Sequence, residues 1–300
     1  MTTAGEEVDP AAIAASLGVE SATRFKVMKG GWDNSLWLFG NAERQRRVLR
    51  LFRVSGSLEE TRAAAENEAL AMSLAREAGL PVPAVVAQGL HEGIPAAVHE
   101  WMPGQTLADK LKGWPTRARV LGRAMGRLQA QVHGCPVTGL RPLAAFDWDE
   151  RLDDPALAAA ARDAISDELR FCHLDFHPFN LLVQGREISA LLDFRNAAAG
   201  DRRVDLGLTW ALLTAPPLPR GMQGRAVQAV IRRLAAGWRE GYTEAAGEFP
   251  LTPLFEAVGL AAYRTEFLRA RNDGRGWATK RDISRLTELL DERKTTLGIR

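Results

Sequence analysis

Two short apolar runs, residues 180–184 (NLLVQ) and 187–194 (EISALLDF), meet at Gly185-Arg186, and this leaves the chain little choice but a hairpin on a Gly-X turn. The hairpin fixes a register. If Gln184 pairs with Glu187, Asn180 lies opposite Leu191, and the two-residue repeat of strand side chains puts Asp193 on the same face as Asn180. The two oxygen donors become diagonal neighbours, roughly 7–8 Å apart at the backbone, near enough for their side chains to grip one hard cation. Asp175 stands five residues before Asn180, on the approach loop.

An acid in a loop, an amide five residues later and a second acid at the end of the next strand are what phosphoryl transfer requires. The first orients and deprotonates a hydroxyl, and the other two hold Mg²⁺ against nucleotide phosphates. Asp175, Asn180 and Asp193-Phe194 follow the order H-x-D-x-x-x-x-N, then D-F, of phosphoryl-transfer enzymes. Each of these residues alone is also an ordinary loop residue, so it is their coincidence that carries the reading.

Three motifs narrow it further. They are His173-Leu174-Asp175-Phe176-His177-Pro178-Phe179-Asn180, then Leu192-Asp193-Phe194, then Gly200-Asp201-Arg202-Arg203-Val204-Asp205-Leu206. Together they resemble the aminoglycoside phosphotransferase and choline kinase family, whose pattern is roughly H-G-D-x-H-x-x-N, I-D-W and G-D-x-x-x-D-L. The resemblance implies an α+β, two-lobed protein-kinase-like fold. Residues 1–98 would form a small β-rich lobe, 99–104 a hinge and 105–300 a larger, mostly helical lobe. It also implies ATP or GTP as phosphoryl donor, Mg²⁺ as cofactor, and a small-molecule hydroxyl as acceptor, on an antibiotic or on a metabolite such as choline, homoserine or a sugar. Asp175 takes the catalytic role, and Asn180 and Asp193 the metal. A protein kinase fits less well, because Phe194-Arg195-Asn196 lacks the Gly of D-F-G. The alternative from another class is an inactive nucleotide-binding scaffold or sensor.

The rest of the chain falls into order around this. Residues 9–18 read as a short helix, and the alternating stretch that follows reads as two strands around a Gly-Gly step. The family often shows G-G-x-x-N there, matched by Gly30, Gly31 and Asn34, in a loop over the phosphates. In the strand RRVLRLF, Arg50 takes the place of the phosphate-binding cation, as a bidentate fork. The helix-forming run 59–78 supplies the acid that pairs with it: Glu68 by its distance from AGLPVP, with Glu66 as runner-up. In IPAAVHEWMPGQTL, Glu100 and Gly104 match an apolar strand followed by E-x-x-x-G, so the Glu100 carbonyl and the Met102 N–H would meet the adenine edge.

A helical pattern at positions 120, 121, 125, 128 and 132 marks a long central helix. The family commonly has Leu-His near its end; here Leu128-Gln129 is followed one turn on by His133, and neither Gln129 nor His133 receives a function. His173 reads as a packed scaffold residue. Asp205 either caps a helix or ties down the catalytic loop through its N–H groups. Phe179 stands where the family often has Gly. The C-terminal helices would wall the acceptor pocket, with Glu240, Glu244, Glu256, Glu266 and Asp273 as candidate acids for a cationic substrate.

Composition excludes little but agrees. With 39 basic against 37 acidic residues the net charge is +2, which gives no reason to expect a nucleic-acid or membrane partner. Two cysteines cannot build a disulfide framework, the first residues are acidic where a signal peptide is basic, and no apolar run reaches the ~18 residues of a membrane helix. A cytoplasmic protein is expected, and the oligomeric state is left open.

Overall fold

A computed structural model describes residues 8–28, 34–40, 45–54, 56–143, 148–219, 221–274 and 279–299. Helix α1 (Pro10–Ser16), capped by Asp9, leads into strands β1 (Thr23–Val27), β2 (Asn34–Gly40) and β3 (Arg46–Phe52). Helix α2 (Leu58–Glu77) follows, then β4 (Val85–His91) and β5 (Ile94–Glu100). The five strands form one antiparallel sheet in the order β1-β2-β3-β5-β4, so the central strand β3 is flanked by β2 and β5. Trp37, Phe39, Leu49, Ala96 and Val98 pack on Ile13 and Ala14 of α1 and close one face of the sheet.

Helix α2 starts at a capping box. The Ser57 hydroxyl accepts the Glu60 N–H at 3.1 Å, and the Glu60 carboxylate accepts the Ser57 N–H at 2.7 Å. Its middle is fastened to the helical part of the chain. The Asn67 amide donates to the Ala197 carbonyl at 2.9 Å and accepts from the Arg141 N–H at 3.0 Å.

After β5 come β6 (Gln105–Thr106), α3 (Leu107–Gly113), a 3-10 turn at Pro115–Arg117, α4 (Ala118–His133), α5 (Trp148–Leu152) and α6 (Pro155–Ala164). Then follow β7 (Arg170–Cys172), β8 (Leu181–Gln184), β9 (Glu187–Leu191), β10 (Ala198–Gly200) and the helices α7 (Arg202–Thr214), α8 (Gly221–Ala246), α9 (Pro253–Asn272) and α10 (Lys280–Leu297). The molecule is thus an N-terminal antiparallel sheet carrying α2, joined to a larger helical part. Helices α4 and α8 lie backbone to backbone. A Cβ on Gly122 or Gly126 would strike the Leu234 or Trp238 carbonyl, and one on Gly237 or Gly241 the Arg119 or Arg123 carbonyl. Along their rim Arg119, Arg123 and Arg127 pair with Glu240 and Glu244.

The hairpin forms with one correction to its register. Gln184 pairs with Glu187 and Val183 with Ile188, but Leu182 then pairs with Ala190, so Ser189 is an extra residue and β9 bulges. Asn180 therefore stands opposite Leu192, not Leu191, and its carbonyl accepts the Leu192 N–H at 2.9 Å. Asp193 lies one residue beyond the ladder with φ +61°, which turns it out of the strand direction. The bulge also serves the hinge segment, since the Ser189 hydroxyl donates to the Pro103 carbonyl at 2.7 Å. Gly104, at φ +137°, lies so close that a Cβ would meet Ser189 Oγ at 2.9 Å and the Val183 carbonyl at 3.0 Å. Both cysteines are buried and free, and among the described residues no helix is long and apolar enough to cross a membrane.

Candidate active site

The loop between β7 and β8 carries Asp175 and Asn180, and local bonds bring them together. The Asn180 side-chain N–H₂ donates to the Asp175 carbonyl and to Asp175 Oδ2, both at 3.0 Å, and the amide oxygen takes no hydrogen bond from a described residue. The His177 ring lies with Nε2 at 3.2 Å from Asp175 Oδ1, so each carboxylate oxygen has a partner. Burial alone would push the Asp175 carboxyl up, but the charge and hydrogen bond of His177 hold it below its ordinary value. Burial likewise disfavours the His177 imidazolium, and Asp175, with help from Asp193, lifts it above the usual histidine value.

Asp193 is within electrostatic reach of His177, His173 and Glu68. Its half-buried carboxylate takes no hydrogen bond or ion pair from any described residue. The donor chemistry suits Mg²⁺: Asp193 and the amide oxygen of Asn180 are hard oxygens. A carboxylate that takes no hydrogen bond or ion pair from a described residue, within reach of the buried Glu68, suits a bound positive charge. No group of three or more His, Cys, Asp or Glu able to hold a metal occurs among the described residues.

On the sheet side, Arg50 and Glu68 form a buried ion pair at 2.7 Å, with Arg50 also stacked 4.3 Å over the Phe52 ring. Glu68, not Glu66, makes this contact. Burial, then the nearby charge of Asp193, push the Glu68 carboxyl up against the pull of Arg50, and its Oε2 is buried without a partner. Glu100 ends β5, its N–H donating to the Ala84 carbonyl at 2.9 Å, and the Met102 N–H bonds to no described residue. Gly30 and Gly31 lie outside the described residues. Asn34 opens β2 opposite Phe52, and its side chain is outside the description as well.

The loop rests on a buried polar network of which the sequence reading offered Asp205 as an anchor and left Gln129 and His133 unassigned. Asp205, fully buried, accepts the Leu174 N–H at 2.5 Å, Gln129 Nε2 at 2.9 Å and His133 Nε2 at 2.8 Å. Burial opposes its charge, yet these donors hold the carboxyl below its ordinary value. Gln129 also donates to Thr209, whose hydroxyl donates to the Phe176 carbonyl at 2.9 Å, and accepts from the Trp238 indole at 2.7 Å. The loop backbone is therefore gripped on both sides of Asp175. Asp201 is the residue that caps α7, and Asp205 ties the loop. The signal for Gln129 and His133 was four-residue spacing on a helix, which places both on one face. His173 donates to the Leu192 carbonyl at 3.1 Å and packs between Phe176 and Phe194, a scaffold position.

Two positions depart from the family pattern visibly. Leu174 occupies the usual Gly position with φ +61°, and Phe179 is 60% exposed beside the His177 ring. The tail acids do not gather into a pocket: Glu240 and Glu244 pair with α4 arginines, and Glu256 with Arg293 at 2.7 Å.

Comparison with known proteins gives the family and the fold. The family model of the phosphotransferase enzyme family (APH) matches residues 24–246, and the chain belongs to that family. Among solved structures, a thermostable mutant of aminoglycoside phosphotransferase APH(4)-Ia in ternary complex with ADP and hygromycin B is similar over 93% of this chain and 96% of its own, with TM-score 0.63 and 15% identity. The amicoumacin kinase hAmiN, in complex with AMP-PNP, Ca²⁺ and Ami, matches over 91% and 88% at TM-score 0.62 and 13% identity. The macrolide 2'-phosphotransferase MphH from Brachybacterium faecium matches over 93% and 96% at TM-score 0.54 and 21% identity. At these identities the likeness establishes the shared fold. A search of curated proteins finds no match.

Proposed function

We propose that this chain transfers the γ-phosphoryl group of ATP or GTP to a hydroxyl of a small molecule. The observation that carries this is the loop in which Asp175 and Asn180 are bonded to each other and His177 is within electrostatic reach of Asp193. Asp175 accepts the acceptor hydroxyl as a hydrogen-bond donor and takes its proton as the new oxygen–phosphorus bond forms and the bond to the leaving nucleoside diphosphate breaks. Held ionised and bonded at both oxygens, Asp175 is a weak base, so in the ground state its work is mainly to orient. That suits a loose transition state in which the hydroxyl loses its proton late. Asn180 and Asp193 would hold Mg²⁺, which when bound neutralises charge on the phosphate oxygens. Arg50, fixed by Glu68, binds the α- and β-phosphates, and the 30–34 loop covers them. The Glu100 carbonyl and Met102 N–H take the base. The lobe boundary falls at the hinge, residues 99–104.

The named relatives bind hygromycin B and amicoumacin or act on macrolides, so hydroxyl-bearing antibiotics head the acceptor candidates, with choline, homoserine and sugars after them. Incubating the full chain with Mg-ATP and such a panel, reading ADP release and the new phosphomonoester by ³¹P NMR, tests this. One acceptor is expected to give acceptor-dependent ADP that Asp175→Asn abolishes. ADP release that no acceptor stimulates would instead favour the nucleotide-binding scaffold or sensor.

A further inference from the structure

Of the described aromatic residues only Trp114 and Phe179 are exposed. The Trp114 ring is covered by Lys110, whose Nζ lies 4.1 Å from its centroid, whereas the Phe179 ring meets the edge of one other described ring, that of His177 at 5.9 Å. The backbone does not demand this residue. The Asn180 N–H donates to the His177 carbonyl at 3.0 Å and closes a tight turn with Pro178 and Phe179 at its corners. Phe179 is not among the residues with positive φ, so the turn accepts most residues there. It is fixed from two directions: the Pro178 carbonyl accepts the Ala108 N–H at 3.1 Å, and the Asn180 side chain bonds Asp175. The phenyl ring is thus held out to solvent on a rigid corner of the loop that carries Asp175.

Its position relative to Asp175 follows from the imidazole between them. The Phe179 N–H donates to His177 Nδ1 at 3.2 Å, and His177 Nε2 lies 3.2 Å from Asp175 Oδ1, so Phe179 and Asp175 meet opposite edges of that ring. The second carboxylate oxygen, Oδ2, is on Asn180. In-line transfer puts the acceptor and the leaving diphosphate on opposite sides of the phosphorus. With the nucleotide on the Asn180 side, the acceptor belongs on the His177 side. Resting on the phosphotransferase reading above, we infer that Phe179 is the platform on which the acceptor lies, and that the acceptor is a hydroxylated ring, a sugar or a macrolide, whose apolar C–H face covers the phenyl ring while one hydroxyl reaches Asp175. A phenyl ring offers no hydrogen bond, so it selects for apolar area, of which homoserine has little. Choline would bring a cation, which is held best by several aromatic faces. The ring beside Phe179 is instead His177, which Asp175 and Asp193 lift above the usual histidine value, so positive charge already gathers there.

Steady-state kinetics of the full chain with Mg-ATP and, in turn, methyl glycosides, macrolides, choline and homoserine test this. A glycoside or a macrolide is expected to be the best acceptor, and the panel tells the two apart. Phe179→Ala keeps the backbone N–H on His177 and with it the hold on Asp175. It should raise KM for that acceptor about tenfold while kcat and the KM for ATP stay within about twofold. Phe179→Tyr and Phe179→Trp keep a ring face and should stay within about threefold of the wild-type KM. Choline or homoserine as best acceptor overturns the inference and leaves the phosphotransferase reading intact. So does a Phe179→Ala chain whose acceptor KM is unchanged, or whose loss falls on kcat. Acceptor-dependent ADP from no compound of the panel overturns the inference together with that reading. Because the ring is mostly exposed, Phe179→Ala should melt within about 2 °C of wild type. A larger drop would make the ring part of what holds the loop, and would overturn the inference as well.

Discussion

Asp175 is held in one orientation by its neighbours, which suits the orienting role proposed for it. Its carboxylate is held by Asn180 on one oxygen and His177 on the other, so Asp175→Asn is expected to lower kcat by about 10²–10⁴-fold with nucleotide affinity retained. Single-turnover kinetics beside a binding titration check this; near-normal turnover would remove the base assignment. The His177 pair has a pH signature whose sign follows from the two shifts. His177 is raised from its ordinary 6.5, so its stabilisation is complete below that pH and fades as the pH rises through the folded value. Asp175 is lowered from its ordinary 3.8, so its share is present above that pH and fades as the pH falls through its folded value. His177→Gln should thus lower the melting temperature most between these limits, by about 1–3 °C for a partly exposed pair, and converge on wild type at high pH. A difference that grows above pH 8 contradicts the assignment. The pairing of Asp175 with Asn180 was legible because their spacing is local to one loop. Gln129 and His133 were not, because their partner Asp205 lies more than 70 residues away in sequence.

Among the elements, the hairpin was legible and its register was not. An apolar run, a Gly-X turn and a second run specify two paired strands, but nothing in EISALL marks Ser189 as the bulged residue; only its hydroxyl's grip on Pro103 does, and that contact crosses 86 positions. The slip leaves Asp193 to reach the site by its left-handed backbone instead of by strand alternation. Helices α4 and α8 depend on glycine for their distance. Gly126→Ala would drive a methyl into the Trp238 carbonyl, and is expected to cost about 1–3 kcal/mol and several degrees of melting temperature, because both helices must part. An unchanged melting point would mean the helices are farther apart than described. The same pair carries Gln129 and Trp238, so the loop should loosen with it. Asp205→Asn tests that link directly. It keeps the shape but loses the charge that three donors face, and should lower kcat by about tenfold or more while the nucleotide Kd holds. A loss confined to nucleotide binding would detach Asp205 from the catalytic loop.

For the molecule as a whole, the sequence showed the division into a sheet with α2 and a larger helical part, because strand alternation gives way to helical spacing after Gly104. How the two parts are fastened was not legible. The Asn67 side chain reaches the Ala197 carbonyl and the Arg141 N–H, and the Leu191 N–H reaches the Pro81 carbonyl at 2.8 Å, contacts whose partners are backbone groups that any sequence supplies. They hold α2 against the site with the Arg50–Glu68 pair already formed. The acceptor was not legible either, and the physical reason is that the C-terminal acids with any pattern are engaged by arginines. The proposed function joins residue, hairpin and fold through one divalent ion that Asn180 and Asp193 would hold, and calorimetric titration of the full chain with ATP, with and without Mg²⁺, tests it most directly. Mg²⁺ is predicted to tighten ATP binding by about tenfold or more in the wild type and to make no difference in Asp193→Ala. An Asp193→Ala chain that binds Mg-ATP as tightly as wild type would contradict the account.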